Sequence, residues 1–159
     1  TGGGRCDYGN SAANAAVYGH MYNWYAVTDS RGLAPAGWHT PSDEEWKTLE
    51  KFLGMSQADA DRDGDRGITE GGKLKETGTA HWQSPNTGAT NETGFTALPG
   101  GFRTYSGKFD YLNVYGIFWT TTGVPSAVGW YRRVDSESAA IGRLYHDRRD
   151  AFAVRCVRD

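Results

Sequence analysis

The chain has little net charge, little sulfur and no long apolar run, and each shortage excludes something. Seventeen Lys and Arg against nineteen Asp and Glu leave a net charge of −2, too weak a field to gather nucleic acid. No apolar stretch approaches the ~20 residues of a membrane-spanning helix. Two cysteines, Cys6 and Cys156, stand near opposite ends, too few to fix the redox compartment. A bridge between them would close nearly the whole chain and contribute roughly 4–5 kcal/mol through chain entropy. The alternative is two buried free thiols. The histidines, His20, His39, His81 and His146, show no H-x-x-x-H or H-E-x-x-H spacing, which argues against zinc held by a local motif. No nucleophile elbow organises a serine for catalysis, and the opening TGGGRCDYG is neither a signal peptide nor a lipid anchor.

What is abundant is glycine and large aromatics: 22 Gly, 6 Trp and 9 Tyr in 159 residues. That mixture favours short strands, turns and ordered loops over a helical bundle. The length is that of one domain, and 1–159 shows no internal repeat and no boundary. Residues 1–17 read as coil. YGHMYNWYAV puts Tyr18, Met21, Tyr22 and Tyr25 on one helical face, although its aromatics also suit a strand. TPSDEEWKTLEKFLG is a clearer helix, with Ser42 as N-cap and Glu45 as its capping-box partner. Trp46, Leu49 and Phe52 or Leu53 form its buried stripe, and Gly54 ends it. Residues 54–101 are polar and glycine-broken, a long ordered loop region anchored by Trp82, Phe95, Leu98 and Phe102. YGIFWTTT, VGWYRRV, AIGRLYHD and AFAVRCVRD then read as an antiparallel meander, the last strand turning Phe152, Val154 and Cys156 to one face.

One loop carries metal-ligand spacing. DADRDGDRGITE, residues 59–70, fits D-x-[DN]-x-[DN]-G-x5-E. Asp59, Asp61 and Asp63 would supply side-chain oxygens, Asp65 its backbone carbonyl, and Glu70 two more oxygens, a Ca2+ ligand set. The position normally aliphatic is Arg66, and GGKLKE is a poor start for an exiting helix. The expectation is a structural calcium staple, set against a merely solvated acidic loop.

The stretches YGHMYNWYAV…LAPAGWHTPSDEEWKTL, GGKLKETGTAHWQSPNTGATNETGFTALPGGFR, YGIFWTTT and AVRCVRD together resemble the Fibrobacter succinogenes major paralogous domain. That family in turn resembles the formylglycine-generating-enzyme branch of the C-type-lectin-like fold. The resemblance implies an α+β domain with two helices, a small twisted antiparallel sheet and long ordered loops. It also implies a secreted or surface setting on bacteria. The family's usual N-terminal strand has no counterpart here, which suggests a sheet edge completed by another element or subunit, as in an extracellular filament or surface layer. Cysteines that many relatives carry near Ala15 and Ala34 are absent, leaving Cys6 and Cys156 as the one available disulfide. The reactive cysteine pair of formylglycine-generating enzymes is not reproduced, so a non-catalytic role is expected.

Binding is the expected work, to a protein or glycan ligand or to further copies of the chain. Residues 124–149 are rich in Tyr, Trp and Arg, the side chains that dominate interface energetics. Trp130, Tyr131, Arg132, Arg133, Tyr145 and Arg148 are the candidate contact surface; for Trp130 and Tyr145 a place in the core is the alternative. The Glu-Pro-Asn and Trp-Asn-Asp motifs of calcium-dependent lectins are missing, so sugar binding through calcium is not expected. His39, beside Trp38 and the Thr-Pro turn, reads as a packed, hydrogen-bonded residue and not a base.

Overall fold

The structure, a computed structural model, describes residues 2–159. The elements run β1 (Arg5–Cys6), α1 (Ala12–Tyr18), β2 (Met21–Asn23), α2 (Trp24–Val27), β3 (Trp38–His39), α3 (Asp43–Phe52), α4 (Gln57–Asp61), β4 (Gly64–Arg66) and α5 (Glu70–Leu74). They continue with β5 (Phe102–Arg103), β6 (Phe109–Asp110), β7 (Tyr115–Val124), β8 (Val128–Asp135), β9 (Ile141–Asp147), β10 (Ala151–Phe152) and β11 (Val157–Arg158). The fold is mixed α and β, with antiparallel strands in three sheets. Their orders are β1-β2-β10-β5-β6, β3-β11 and β4-β9-β8-β7.

The capping box appears as the sequence dictates. Ser42 Oγ accepts from the Glu45 N–H, and the Glu45 carboxylate accepts from the Ser42 N–H. Trp46 and Leu53 are buried and Leu49 partly so, whereas Phe52 points to solvent. The other four α-helices are four to seven residues long. Three are started by a side-chain cap, from Ser11, Asn23 and Ser56. Segments this short hold too few apolar residues to display a helical period, which is why residues 1–17 read as coil and two helices were expected. Between Gly54 and Gly101 the anchors hold, with Trp82 buried and its indole N–H donating to the Ala97 carbonyl. Gly71 is required there, because a Cβ would lie 2.0 Å from the Ala140 carbonyl oxygen.

The meander β7-β8-β9 is present, but AFAVRCVRD is not its next strand. It breaks into β10, inserted between β2 and β5, and β11, paired with β3. The outer edge of β7 is covered by loop backbone, with Trp119 donating to Ala153 and Thr121 to Pro41.

Both faces of the meander are buried, and the two-residue period of a strand divides its side chains between them. Trp119 and Tyr131 pair in register and lie, with Ile117 and Phe152, in one apolar cluster. Phe118, Val134 and Ile141 face the other way, against Trp46 of α3. On that second face lies a buried ionic network. Arg132 donates to Glu50 Oε1 at 2.6 Å and to Asp43 Oδ1 at 2.7 Å, and Arg66 donates to Glu50 Oε2 at 2.6 Å. Arg143 adds a forked pair to Asp43. Burial alone would raise the Asp43 carboxyl, but Arg143 and Arg132 outweigh it and hold it below the usual carboxylate range. Glu50→Ala would leave Arg66 and Arg132 without their shared carboxylate. The expected loss is about 3–5 kcal/mol, read from urea unfolding; a loss below about 1 kcal/mol would show that another contact ties α3 to the sheet.

Candidate functional site

The acidic loop is folded into helix and strand, and this changes what its carboxylates face. Asp59 and Asp61 lie in α4, while Asp65 lies in β4, paired with Gly142 of β9. Asp59 caps its own helix with Ser56 and meets Arg62. Asp61 accepts from Lys47 at 2.9 Å, Asp63 from Arg143 at 2.7 Å, and Asp65 from Arg133 at 2.7 Å. Glu70 turns its carboxylate onto the N–H groups of Ile68 and Thr69. Among the described residues no three His, Cys, Asp or Glu side chains gather as a metal-binding group. The donor set therefore does not fit calcium in this arrangement, because each acid already faces its own donor. Arg66, at the position normally aliphatic, belongs to the buried network.

The six residues expected to form one contact surface are also separated. Trp130, Tyr131 and Arg132 are buried. Trp130 lies under the Arg143 guanidinium, 3.8 Å from its ring centre, and meets Tyr145 edge-on. Arg148 is half-buried over Trp24 and donates to the Val124 and Val128 carbonyls, clamping the β7–β8 hairpin. Tyr145 is exposed, but on the Trp130 face, away from Tyr131 and Arg133. Period two within each strand, applied across the register, separates these faces.

What Tyr131 and Arg133 do share is a cavity of about 190 Å³, lined by Phe102, Tyr111, Tyr115, Ile117, Tyr131, Arg133, His146 and Phe152. It opens between the meander and the β10–β5 pair in the middle of the first sheet. Phe102, Tyr111 and Tyr115 form a row of near-parallel rings, with centroids 5.8 Å and 4.5 Å apart. Phe152 meets Tyr131 edge-on at 5.0 Å. The buried Asp150 holds His146 through Nδ1, and its other oxygen accepts from the Tyr105 N–H. That hydrogen bond to Asp150 raises the imidazole above its ordinary value, against the opposing effect of burial. Burial pushes the Tyr131 phenol up to about 12, so it stays protonated. Two other cavities lie elsewhere on the fold. One of about 220 Å³, between α1 and the Leu98 loop, is lined by Tyr8, Tyr18, His20, Phe118 and Arg155 together with glycines and aliphatic side chains. A third, beside Gly3, Gly4 and Tyr22, is wide open.

A profile of the Fibrobacter succinogenes major domain matches residues 1–158. The chain belongs to that family. Neither the curated proteins nor the solved structures contain a match to it.

In this Fibrobacter succinogenes major domain, Cys6 and Cys156 are both free thiols, one of the two alternatives open from the sequence. Cys6 lies in β1 and Cys156 just before β11, and burial raises both above the ordinary thiol value. All four histidines meet carboxylates in separate places: His20 with Asp7, His39 with Glu45 and Asp159, His81 with Glu76, and His146 with Asp150. The lysine Lys75 was not singled out from sequence. Its buried ammonium donates to the carbonyls of Thr87, Asp135 and Ser138, and burial pulls it down to about 8.

Two outcomes follow from this placement. With calcium or with chelator, the thermal midpoint should agree to within about 1 °C. A site at a hundredfold excess over its Kd would instead add ~2.7 kcal/mol, or several degrees at roughly 2–4 °C per kcal/mol. His39, bonded to Asp159 and Glu45 at 2.6 Å each, is raised above its ordinary value, mainly by Asp159. Its contribution is therefore full below about pH 6.5 and lost as pH rises through the raised value. The urea midpoint of wild type minus that of His39→Gln should shrink over that window; a difference independent of pH would contradict the pairing.

Proposed function

We propose that this chain is a non-catalytic binding domain of a secreted or surface-attached bacterial protein, built on a C-type-lectin-like frame, whose contact site is the aromatic cavity between the meander and the first sheet. The observation that carries this reading is the chemistry of that cavity. It combines apolar ring faces with polar groups whose hydrogen bonds are unspent within the protein, the usual composition of a ligand site. The Tyr131 hydroxyl and His146 Nε2 make no hydrogen bond among the described residues, and Arg133 bonds only through Nη2, to Asp65. The frame supports the reading in a second way. His39 and Asp159 tie the C-terminal strand to the start of α3, and β1 pairs with β2, so both ends of the chain are held in sheets. The raised cysteines weigh against a reactive thiolate and so against formylglycine-type oxidation chemistry.

Retention of the purified chain on immobilised bacterial envelope polysaccharides and proteins tests the reading. The expected result is saturable retention that Tyr111→Ala reduces at least tenfold, with the native circular dichroism spectrum kept because Tyr111 is half-exposed. Equal retention of wild type and variant, or none by either, would overturn it.

A further inference from the structure

We propose that the aromatic cavity binds a single hexuronic acid residue, a pyranose ring carrying a carboxylate, without a metal ion. The inference rests on the binding-domain reading and names the ligand class of that site. Size is the first argument. About 190 Å³ lies below the ~300 Å³ at which pockets for drug-sized ligands begin, so the space suits one ring. The wall is the second, because the stacked rings of Phe102, Tyr111 and Tyr115, with Phe152, line the space with apolar carbon against which the C–H groups of a sugar can pack.

Charge placement is the third argument. The Arg133 guanidinium and the His146 imidazole line the cavity, whereas the acids that hold them, Asp65 and Asp150, do not. Asp150 is fully buried behind His146. The cavity therefore presents the Arg133 and His146 nitrogens to a ligand and keeps the acids behind them, and Arg133 can make charge-assisted hydrogen bonds to a carboxylate.

Unspent donors are the fourth. Tyr131 is more than nine-tenths buried, and its hydroxyl has no partner among the described residues. That oxygen is not among the polar atoms sealed from solvent without a partner, whereas Arg133 Nε is. Its remaining access is through the cavity that it lines. Arg133 Nη1 and His146 Nε2 likewise carry no hydrogen bond among the described residues. Donors contributed by three side chains around one ring call for acceptor oxygens at several ring positions. A hexuronate has such oxygens; an aromatic acid has only its one carboxylate.

Titration calorimetry of the intact chain, in chelator throughout, compares glucuronate and galacturonate with glucose and benzoate. At least one uronate should bind tenfold or more tightly than glucose and than benzoate. Tyr131→Phe should weaken uronate binding at least fivefold while keeping the wild-type thermal midpoint, since the lost hydroxyl has no internal partner. His146→Gln, which keeps a donor but no charge, should weaken uronate more than glucose. Uronate binding no tighter than glucose overturns the proposal, and so does unchanged binding by Tyr131→Phe. Benzoate binding as tight as uronate also overturns it. If uronates do not bind while Tyr111-dependent retention on envelope polymers persists, this inference fails and the binding-domain reading stands.

Discussion

Glu50 is the point at which this structure is tied together. Its two oxygens are taken by Arg132 from the centre of the meander and Arg66 from β4, at 2.6 Å each, with all three side chains out of solvent. Asp43, one helix turn pair earlier on α3, accepts from Arg132 and Arg143. The helix is thereby fixed to three strands through carboxylates in its own first turn and its last. Ions in such a place cost several kcal/mol each to desolvate, so the network contributes geometry more than net stability. It requires α3, β4, β8 and β9 to meet in one register.

That requirement passes to the other face of the sheet. Strand period places Arg132 and Tyr131 on opposite sides of β8. Fixing Arg132 against α3 therefore turns Tyr131 and Arg133 toward the cavity. The same constraint on β9 sends Arg143 to Asp43 and leaves His146 on the cavity side. The acidic loop is drawn in as well. Lys47, Arg143 and Arg133 each donate to one of its carboxylates, so its negative charge is matched by side chains distant in sequence.

Local chemistry was legible in the residues. The capping box at Ser42 and Glu45 depends only on neighbours three apart, and the meander strands depend on aromatic and β-branched runs between turns. Trp82 as an anchor of the long loop region follows from its size and apolarity. The candidate site was half legible: Tyr131 and Arg133 stood out by type, but grouped with Arg132 and Trp130 they were read as one exposed surface. Phe102, Tyr111 and Phe152, which complete the cavity, come from segments 20 to 30 residues away on either side. Asp150 sits four residues beyond His146 across a turn, a spacing with no meaning until the turn is seen.

By itself, the sequence determined the family, the principal helix and its cap, the paired strands and a net charge close to zero. These rest on adjacency, composition and periodicity, which a linear chain carries in full. Tertiary structure decided the rest. It assigned the aspartates to arginine and lysine partners, left both cysteines free, and divided one aromatic and basic segment between a buried network and a cavity. The physical reason is the same in each case: a charge or a ring takes its meaning from what stands across from it. In this chain those partners lie up to 120 residues away, as with His39 and Asp159.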